Sequence, residues 1–133
     1  MTAIRYLNQK DAIVLQRLAE HQSNLGAAEL AEKLDDILSS AVLVQGDVRK
    51  KNCVGLNSKV TFSKTADGEV STNAMTIVSP EDASAAESRI SILAPLAMAL
   101  IGRKVNGLVK VQLPYGEATL KILEVEHLEN TEA

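Results

Sequence analysis

The stretch Ile90-Ser-Ile-Leu-Ala-Pro-Leu-Ala-Met-Ala-Leu-Ile-Gly102 decides how this chain folds. Residues Arg89 to Leu93 alternate in polarity over a short distance, which is typical of a brief strand. Pro95 fits the first turn of an α-helix, because the N–H that it lacks would have no partner there. Gly102 suits the end of that helix, since glycine readily adopts the left-handed backbone that closes a last turn. The stretch therefore predicts a strand followed directly by one short helix.

On both sides of this stretch the hydrophobic pattern has the two-residue period of β-strands. The four predicted strands are 59–63, 70–78, 105–113 and 118–128. Ala66–Gly68 and Pro114–Gly116 provide the turn residues that join them in pairs. The predicted fold class is therefore α+β, an antiparallel sheet with one short helix packed on a face.

Residues 1–52 follow a helical period instead. Asn8 is a good N-cap for a first helix that runs to about His21. A second helix carries the cleaner apolar stripe, formed by Ala27, Leu30, Ala31, Leu34, Ile37, Leu38 and Ala41. Two amphipathic helices joined by a few residues should fold back on each other, because each needs a surface on which to bury its stripe. The sequence predicts a short antiparallel hairpin, with arms of roughly 20 Å at about 1.5 Å per residue.

A linker is predicted from Val44 to Asn52, where Gly46 and the basic triplet Arg49, Lys50 and Lys51 interrupt the helical pattern. Such a charge run is most often a solvated connector, although it could also touch an acidic partner surface. The predicted domains are accordingly a helical hairpin with its linker in residues 1–52 and a sheet domain in residues 53–133.

Composition excludes several classes of function. The chain has 133 residues, and 14 basic against 17 acidic side chains give a net charge of −3. Without a basic excess, direct binding to DNA or RNA is not expected. The three aromatic residues, Tyr6, Phe62 and Tyr115, are too few for a base-stacking platform. No apolar run approaches the roughly 18 residues of a membrane helix, and no signal-peptide segment is visible, so we expect a cytoplasmic protein without membrane contact.

No catalytic or metal-binding constellation stands out among the reactive residues. His21 and His127 have no Cys or carboxylate at zinc-ligand spacing, which indicates ordinary surface histidines. Cys53 has no His arranged to activate it and fits a small semi-buried thiol. Asp35 and Asp36 follow the apolar stripe on its outer side and should be solvated. The residues therefore favour a non-enzymatic interaction protein without a cofactor.

The segment 90–102 resembles the signature of the C-terminal domain of bacterial Gre transcription factors. The similarity continues through Val109–Glu117 and Ile122–Val125. Weaker matches at Asn57–Val60 and Asp67–Glu69 extend it over roughly residues 54–128. Within this family, the length and the short hairpin are similar to the small Rnk type. The resemblance implies that residues 53–133 form an FKBP-like domain.

The resemblance also implies a partner, RNA polymerase, with DNA or RNA contacted only indirectly. In Gre factors the globular domain docks on the rim of the secondary channel, and acidic residues at the hairpin tip hold Mg²⁺ for transcript cleavage. Here Gln22, Ser23 and Asn24 are expected between the helices, with Glu20 and Glu29 beyond the turn on either side. A short hairpin with this tip predicts a regulator that occupies the channel entrance without stimulating cleavage.

The predicted partner contacts are Leu93 and Pro95, at the exposed start of the short helix, and the tip residues Gln22, Ser23 and Asn24. Leu93 and Ala94 stand where Gre factors tend to have a polar pair, so contact should depend more on apolar burial. Two alternatives remain open at this point. The chain could be a genuine cleavage factor that positions Mg²⁺ through Glu20 or Glu29, or a module that regulates nucleoside diphosphate kinase through its sheet edge. Its oligomeric state is not predicted.

Overall fold

A computed structural model describes residues 5–44, 52–114 and 116–127. The N-terminal unit consists of β1 (Tyr6–Asn8), α1 (Gln9–Asn24), α2 (Ala28–Ser40) and β2 (Val42–Val44). The C-terminal unit consists of β3 (Ser58–Ala66), β4 (Glu69–Val78), β5 (Arg89–Ser91), α3 (Pro95–Leu100), β6 (Leu108–Leu113) and β7 (Gly116–His127). The predicted α+β class, a helical hairpin followed by a sheet with one short α-helix, is confirmed.

The first helix begins where its cap predicts. The side-chain oxygen of Asn8 accepts a hydrogen bond of 2.7 Å from the backbone N–H of Asp11, which satisfies one of the unpaired donors of the first turn. The carboxylate of Asp11 is buried and accepts a bond of 3.3 Å from the N–H of Leu56. The start of α1 is therefore fixed both locally and to the C-terminal unit.

The end of α1 differs from the prediction. Gly26 has a φ of +83°, and Ala27 N–H donates to the carbonyl of Gln22 at 2.8 Å while Gly26 N–H donates to that of Ser23 at 3.0 Å. These two bonds form a Schellman motif, which closes the helix after Asn24. Placing Gln22, Ser23 and Asn24 between the helices was therefore wrong, because they form the last turn of α1.

A short parallel ribbon lies at the base of the hairpin. β1 and β2 pair in parallel with Tyr6 opposite Val42 and Asn8 opposite Val44. The pairing was missed because three-residue strands carry almost no periodic signal. Val44, predicted as the start of the linker, therefore belongs to a strand. The basic triplet of that linker lies outside the described residues.

The large sheet has the strand order β5-β4-β3-β7-β6. Three of its pairings are antiparallel, as predicted, but β5 runs parallel to β4. The segment between them forms two 3₁₀ turns, Pro80–Asp82 and Ala85–Glu87, that return the chain to the start of the next strand in the same direction. The sheet is therefore mixed, and α3 follows β5 as the strand-helix pattern predicts.

The two units share one hydrophobic core. Leu7, Leu15 and Leu34 of the N-terminal unit belong to the same buried cluster as Phe62 and Leu120 of the sheet. Phe62, the only phenylalanine of the chain, is fully buried. The division of the chain at residues 52 and 53 stays a prediction, and the units on either side of it are packed together. Among the described helices, none combines the length and apolar character that a membrane span requires.

Backbone contacts fix the hairpin base to the end of α3. Tyr6 N–H donates to the carbonyl of Gly102 at 2.8 Å. Gly102 has a φ of +78°, and a Cβ added there would lie 3.1 Å from the Tyr6 carbonyl oxygen and from Arg5 Cβ. Glycine is therefore needed at this position for its backbone angle and for the close approach of β1.

Candidate functional site

A groove of about 410 Å³ lies where the hairpin meets the C-terminal unit. We call it the base groove. Helix α2 contributes Leu30, Lys33, Asp36, Ile37 and Ser40 to its lining. The α3 region contributes Leu93, Pro95, Met98 and Ala99, strand β6 contributes Lys110, Val111 and Gln112, and Arg5 and Arg103 complete it. The groove exists only because the two units pack together.

The structure brings two of the predicted contact residues into this groove. Pro95 is exposed at the first turn of α3, and Leu93 is half-buried just before it. Leu93 N–H donates to the hydroxyl of Ser91 at 3.0 Å, which fixes the backbone that enters the helix. Leu30 and Ile37 of α2 line the same groove, so its apolar surface comes from both units. Partner contact through Leu93 and Pro95 stays a prediction.

The base groove also concentrates positive charge. Among the described residues of its lining, Arg5, Lys33, Arg103 and Lys110 are basic and only Asp36 is acidic. Burial, with a smaller contribution from the positive charge of Arg103, lowers the pKa of Arg5 to about 10. Burial also lowers the pKa of Arg103. Both shifts mean that the charged guanidinium groups are partly desolvated where they stand.

Arg5 is held in a fixed position by the end of α3. Its Nη1 donates to the carbonyl oxygens of Met98 at 2.7 Å and Ile101 at 3.0 Å. These carbonyls belong to the last turn of the helix and its cap, where a cation is stabilising. Sequence reasoning missed this group, because the four basic residues are separated along the chain and only the fold assembles them.

The hairpin tip has a different character. The turn is formed by Leu25, Gly26 and Ala27, and Leu25 is 65% exposed. Gln22 is only 9% exposed, which leaves little of its side chain for direct contact with a partner. Ser23 and Asn24 are exposed and stay predicted contact residues.

Acidic residues near the tip do not form a cluster in the described part of the chain. Glu20 and Glu29 are exposed on either side of the turn. In residues 5–44, 52–114 and 116–127, no group of three or more His, Cys, Asp or Glu side chains is arranged to hold a metal ion. The tip therefore presents one apolar side chain, polar neighbours and two separate carboxylates.

The other reactive residues lie away from the base groove. His21 is exposed, as predicted, but His127 is not an ordinary surface histidine, because its Nδ1 lies 2.7 Å from the hydroxyl of Ser58. Ser58 is fully buried and also accepts a bond of 3.1 Å from Gly55 N–H. This contact joins the end of β7 to the start of β3. Cys53, predicted to be a small semi-buried thiol, is buried, with 3% of its surface exposed.

Comparison with known proteins gives consistent results. Residues 49–127 match the family model described as "Transcription elongation factor, GreA/GreB, C-term". The GreA of Geobacillus kaustophilus is 37% identical over 95 residues, which cover 71% of this chain and 59% of that protein. The match thus spans less than two thirds of that relative. A protein of Escherichia coli named "Regulator of nucleoside diphosphate kinase" is 31% identical over 91% of this chain and 88% of its own length.

A solved structure extends this similarity to the whole fold. A prokaryotic transcription elongation factor GreA/GreB from Nitrosomonas europaea superimposes with a TM-score of 0.71 and 28% identity. The alignment covers 92% of this chain and 98% of that structure, so it includes the helical hairpin as well as the sheet. The matched C-terminal unit, the full-length relative and the shared architecture agree, and this chain therefore belongs to the GreA/GreB family of transcription elongation factors.

Proposed function

We propose that this chain binds bacterial RNA polymerase, occupies the entrance of the secondary channel and regulates elongation without stimulating transcript cleavage. We further propose that it is not an enzyme. Family membership supports an action in transcription. The observation that carries the finer proposal is the hairpin tip, where the turn Leu25–Ala27 contains no carboxylate.

The length of the hairpin supports action at an entrance. Helix α1 has 16 residues and α2 has 13. At about 1.5 Å per residue they are about 24 Å and about 20 Å long. The expected arm length of roughly 20 Å agrees with these values. A hairpin of this size can enter the mouth of a channel, but a deeply placed reaction centre would lie beyond its tip.

The chemistry at the tip also supports this proposal. Magnesium in proteins takes oxygen ligands, chiefly from carboxylates and water. Glu29 lies in the first turn of α2, and Glu20 precedes the last turn of α1, so neither stands in the turn itself. The exposed side chain of Leu25 occupies that place. A tip of this composition is suited to steric or apolar contact, and its turn provides no carboxylate ligand for a metal ion.

The base groove is the surface that we propose for docking on the rim of the channel. Leu93 and Pro95 lie beside Leu30 and Ile37, and a partner side chain inserted among them would bury apolar surface on several sides. Residues in such pockets provide most of the binding energy of a typical interface. Docking at the hairpin base would leave the hairpin itself to extend into the channel.

Co-purification with RNA polymerase tests this proposal. We expect the intact chain to retain polymerase and a GreA protein to compete for it. The Leu93→Ala variant should bind about tenfold more weakly, as expected for loss of a central apolar contact. Val70→Ala is the matched control, because Val70 is exposed on β4 outside the base groove. Absence of binding where GreA binds, or binding that GreA does not displace, would contradict the proposal.

A cleavage assay on stalled elongation complexes tests the second half of the proposal. We expect no shortened transcripts at protein concentrations that saturate polymerase. Shortened transcripts that disappear in Glu20→Ala or Glu29→Ala would show that the chain is a cleavage factor. That result would leave the docking proposal intact and overturn only the account of the tip.

A second candidate function follows from the name of one relative. The E. coli protein called a regulator of nucleoside diphosphate kinase aligns with 91% of this chain. The same module could act on such a kinase through the edge strand β6, whose Leu108 is 64% exposed. Kinase assays with purified components and no polymerase separate the candidates. A change in kinase rate together with no polymerase binding would favour this second function.

A further inference from the structure

We propose that the base groove is a binding site for a small anion that carries a diphosphate or triphosphate group. The proposal does not depend on polymerase binding, because the site is complete in the isolated chain. It rests on the charge of the groove, on the fixed position of Arg5 and on the size of the space.

The positive charge of the groove is a local feature and does not reflect overall composition. The chain has 14 basic and 17 acidic residues and a net charge of −3. In the described part of the lining, four basic residues nevertheless stand with one acidic residue, Asp36. Lys33 comes from α2 and Lys110 from β6, so both units contribute a cation. Besides burial, the positive charge of Arg103 disfavours the charged form of Arg5, and a nearby anion would oppose this effect.

Arg5 supplies a preorganised donor at this site. Its Nη1 makes both hydrogen bonds to the end of α3, one to Met98 and one to the cap residue Ile101, and these bonds position the guanidinium group. A planar guanidinium presents donors in a fork that matches two phosphate oxygens. Burial and the nearby Arg103 disfavour the charged form of Arg5, as its lowered pKa indicates. A bound anion would offset that cost.

The charge and size of the groove favour a multiply charged phosphate ligand. Counted over the described lining residues, four cations and one carboxylate give a formal excess of 4 − 1 = +3. One phosphoryl group carries about −1.5 to −2 at neutral pH, so two or three linked groups match this excess better than one carboxylate does. The volume of about 410 Å³ is in the range of sites for small ligands. Leu93 and Met98 add an apolar wall, against which a larger organic group of the ligand could pack.

Calorimetric titration of the full chain tests this proposal. The probes are inorganic triphosphate and adenosine triphosphate without added metal, at low ionic strength. We expect both to bind, and binding to weaken as salt is added. If adenosine triphosphate binds more tightly than inorganic triphosphate, the ligand is a nucleotide. If both bind with equal affinity, the site recognises the phosphate groups alone. Both results support the site.

Variants locate the binding. Lys33 and Lys110 are exposed, so Lys33→Ala with Lys110→Ala should fold normally. We expect the double variant to bind triphosphate at least about tenfold more weakly, since two charge-assisted contacts are lost. Lys59→Ala is the matched control, because Lys59 is exposed on β3 outside the groove. Amide chemical shifts on triphosphate addition should change around Leu93 and α2.

Several outcomes would overturn the proposal. Failure of triphosphate to bind the full chain would overturn it. Equal triphosphate affinity of the double variant and the Lys59→Ala control would also overturn it. A single-stranded RNA without a terminal phosphate that binds as tightly as triphosphate would indicate a nucleic-acid surface instead. A glutamate-rich peptide that binds more tightly than triphosphate would assign the charge to recognition of an acidic protein.

Discussion

The tip and the base of the helical hairpin differ in almost every physical respect. The tip is a backbone motif closed by Gly26, with the exposed side chain of Leu25 at its end. The base is held by the β1–β2 ribbon, by the bonds of Arg5 and by the close approach of Tyr6 to Gly102. Fixed geometry, positive charge and partly buried apolar surface all occur at the base. The features on which both proposed binding roles depend therefore lie where the two units meet.

The two ends also differ in how they are stabilised. Leu15 and Leu34 of the hairpin belong to the same buried cluster as Phe62 of the sheet, so the lower part of the hairpin shares the core. The tip residues Leu25 and Gly26 are exposed. Substitutions should therefore have large effects near the base and small effects at the tip, and the following predictions test this gradient.

The largest effect is expected for truncation of the shared core. Leu34 and Phe62 are both fully buried. Leu34→Ala and Phe62→Ala should each lower the free energy of unfolding by about 3–5 kcal/mol, because each leaves a cavity as well as losing apolar burial. Urea denaturation followed by circular dichroism should show one transition for both variants. Two separate transitions in Leu34→Ala would mean that the hairpin unfolds alone, against the idea of a shared core.

A smaller effect is expected at the contact between the units. Gly102→Ala should lower stability by about 1–3 kcal/mol, because an alanine is strained at a φ of +78° and its Cβ would lie 3.1 Å from Tyr6 O. Gly68 is the matched control, since it has a φ of +80° and open space around its Cβ position. Gly68→Ala should cost less than Gly102→Ala. Equal losses would show that the approach of β1 adds nothing beyond the backbone angle.

Loss of the helix cap should have a still smaller effect. Asn8→Ala removes the acceptor for Asp11 N–H and should lower the free energy of unfolding by about 1 kcal/mol. Asn24→Ala, at the exposed end of the same helix, should change it by less than about 0.5 kcal/mol. Thermal unfolding of both variants measures the difference. A larger loss of stability in Asn24→Ala than in Asn8→Ala would contradict the expectation that substitutions at the base cost more than those at the tip.

The smallest effect is expected at the turn itself. Leu25 is 65% exposed, so Leu25→Ser should change the free energy of unfolding by less than about 0.5 kcal/mol. Chemical denaturation provides the measurement. A loss above about 1 kcal/mol would mean that Leu25 packs more closely than its exposure indicates, and the tip would then resemble the base.

Local signals in the sequence predicted most of the fold. The cap at Asn8, the stripe of α2, the Asp67–Gly68 turn, and the Pro95 and Gly102 boundaries of the short helix each involve residues close together in sequence. Short-range backbone preferences and hydrophobic periods are properties of a few neighbouring residues. They therefore remain visible in a single sequence, as does the resemblance of residues 90–102 to a known family.

Pairings between strands that are distant in sequence could not be predicted from such local signals. The parallel pairing of β5 with β4 depends on the path of the loop between them. A register shift between Thr61 and Phe62 places Glu124 and Ile122 opposite them, so Leu123 is left outside the alternating pattern and is 41% exposed. A period of two cannot reveal such a bulge, because the bulge is defined by the partner strand.

Residue patterns alone predicted a helical hairpin followed by a sheet with one short helix, but they missed the short strands β1 and β2. The residues that form the hairpin turn, Leu25–Ala27, include no carboxylate. Folding was needed to bring Arg5, Lys33, Arg103 and Lys110 into one groove with Leu93 and Pro95. The physical reason is distance along the chain. Local preferences act between near neighbours, whereas the charge and shape of a site depend on which distant segments the common core brings together.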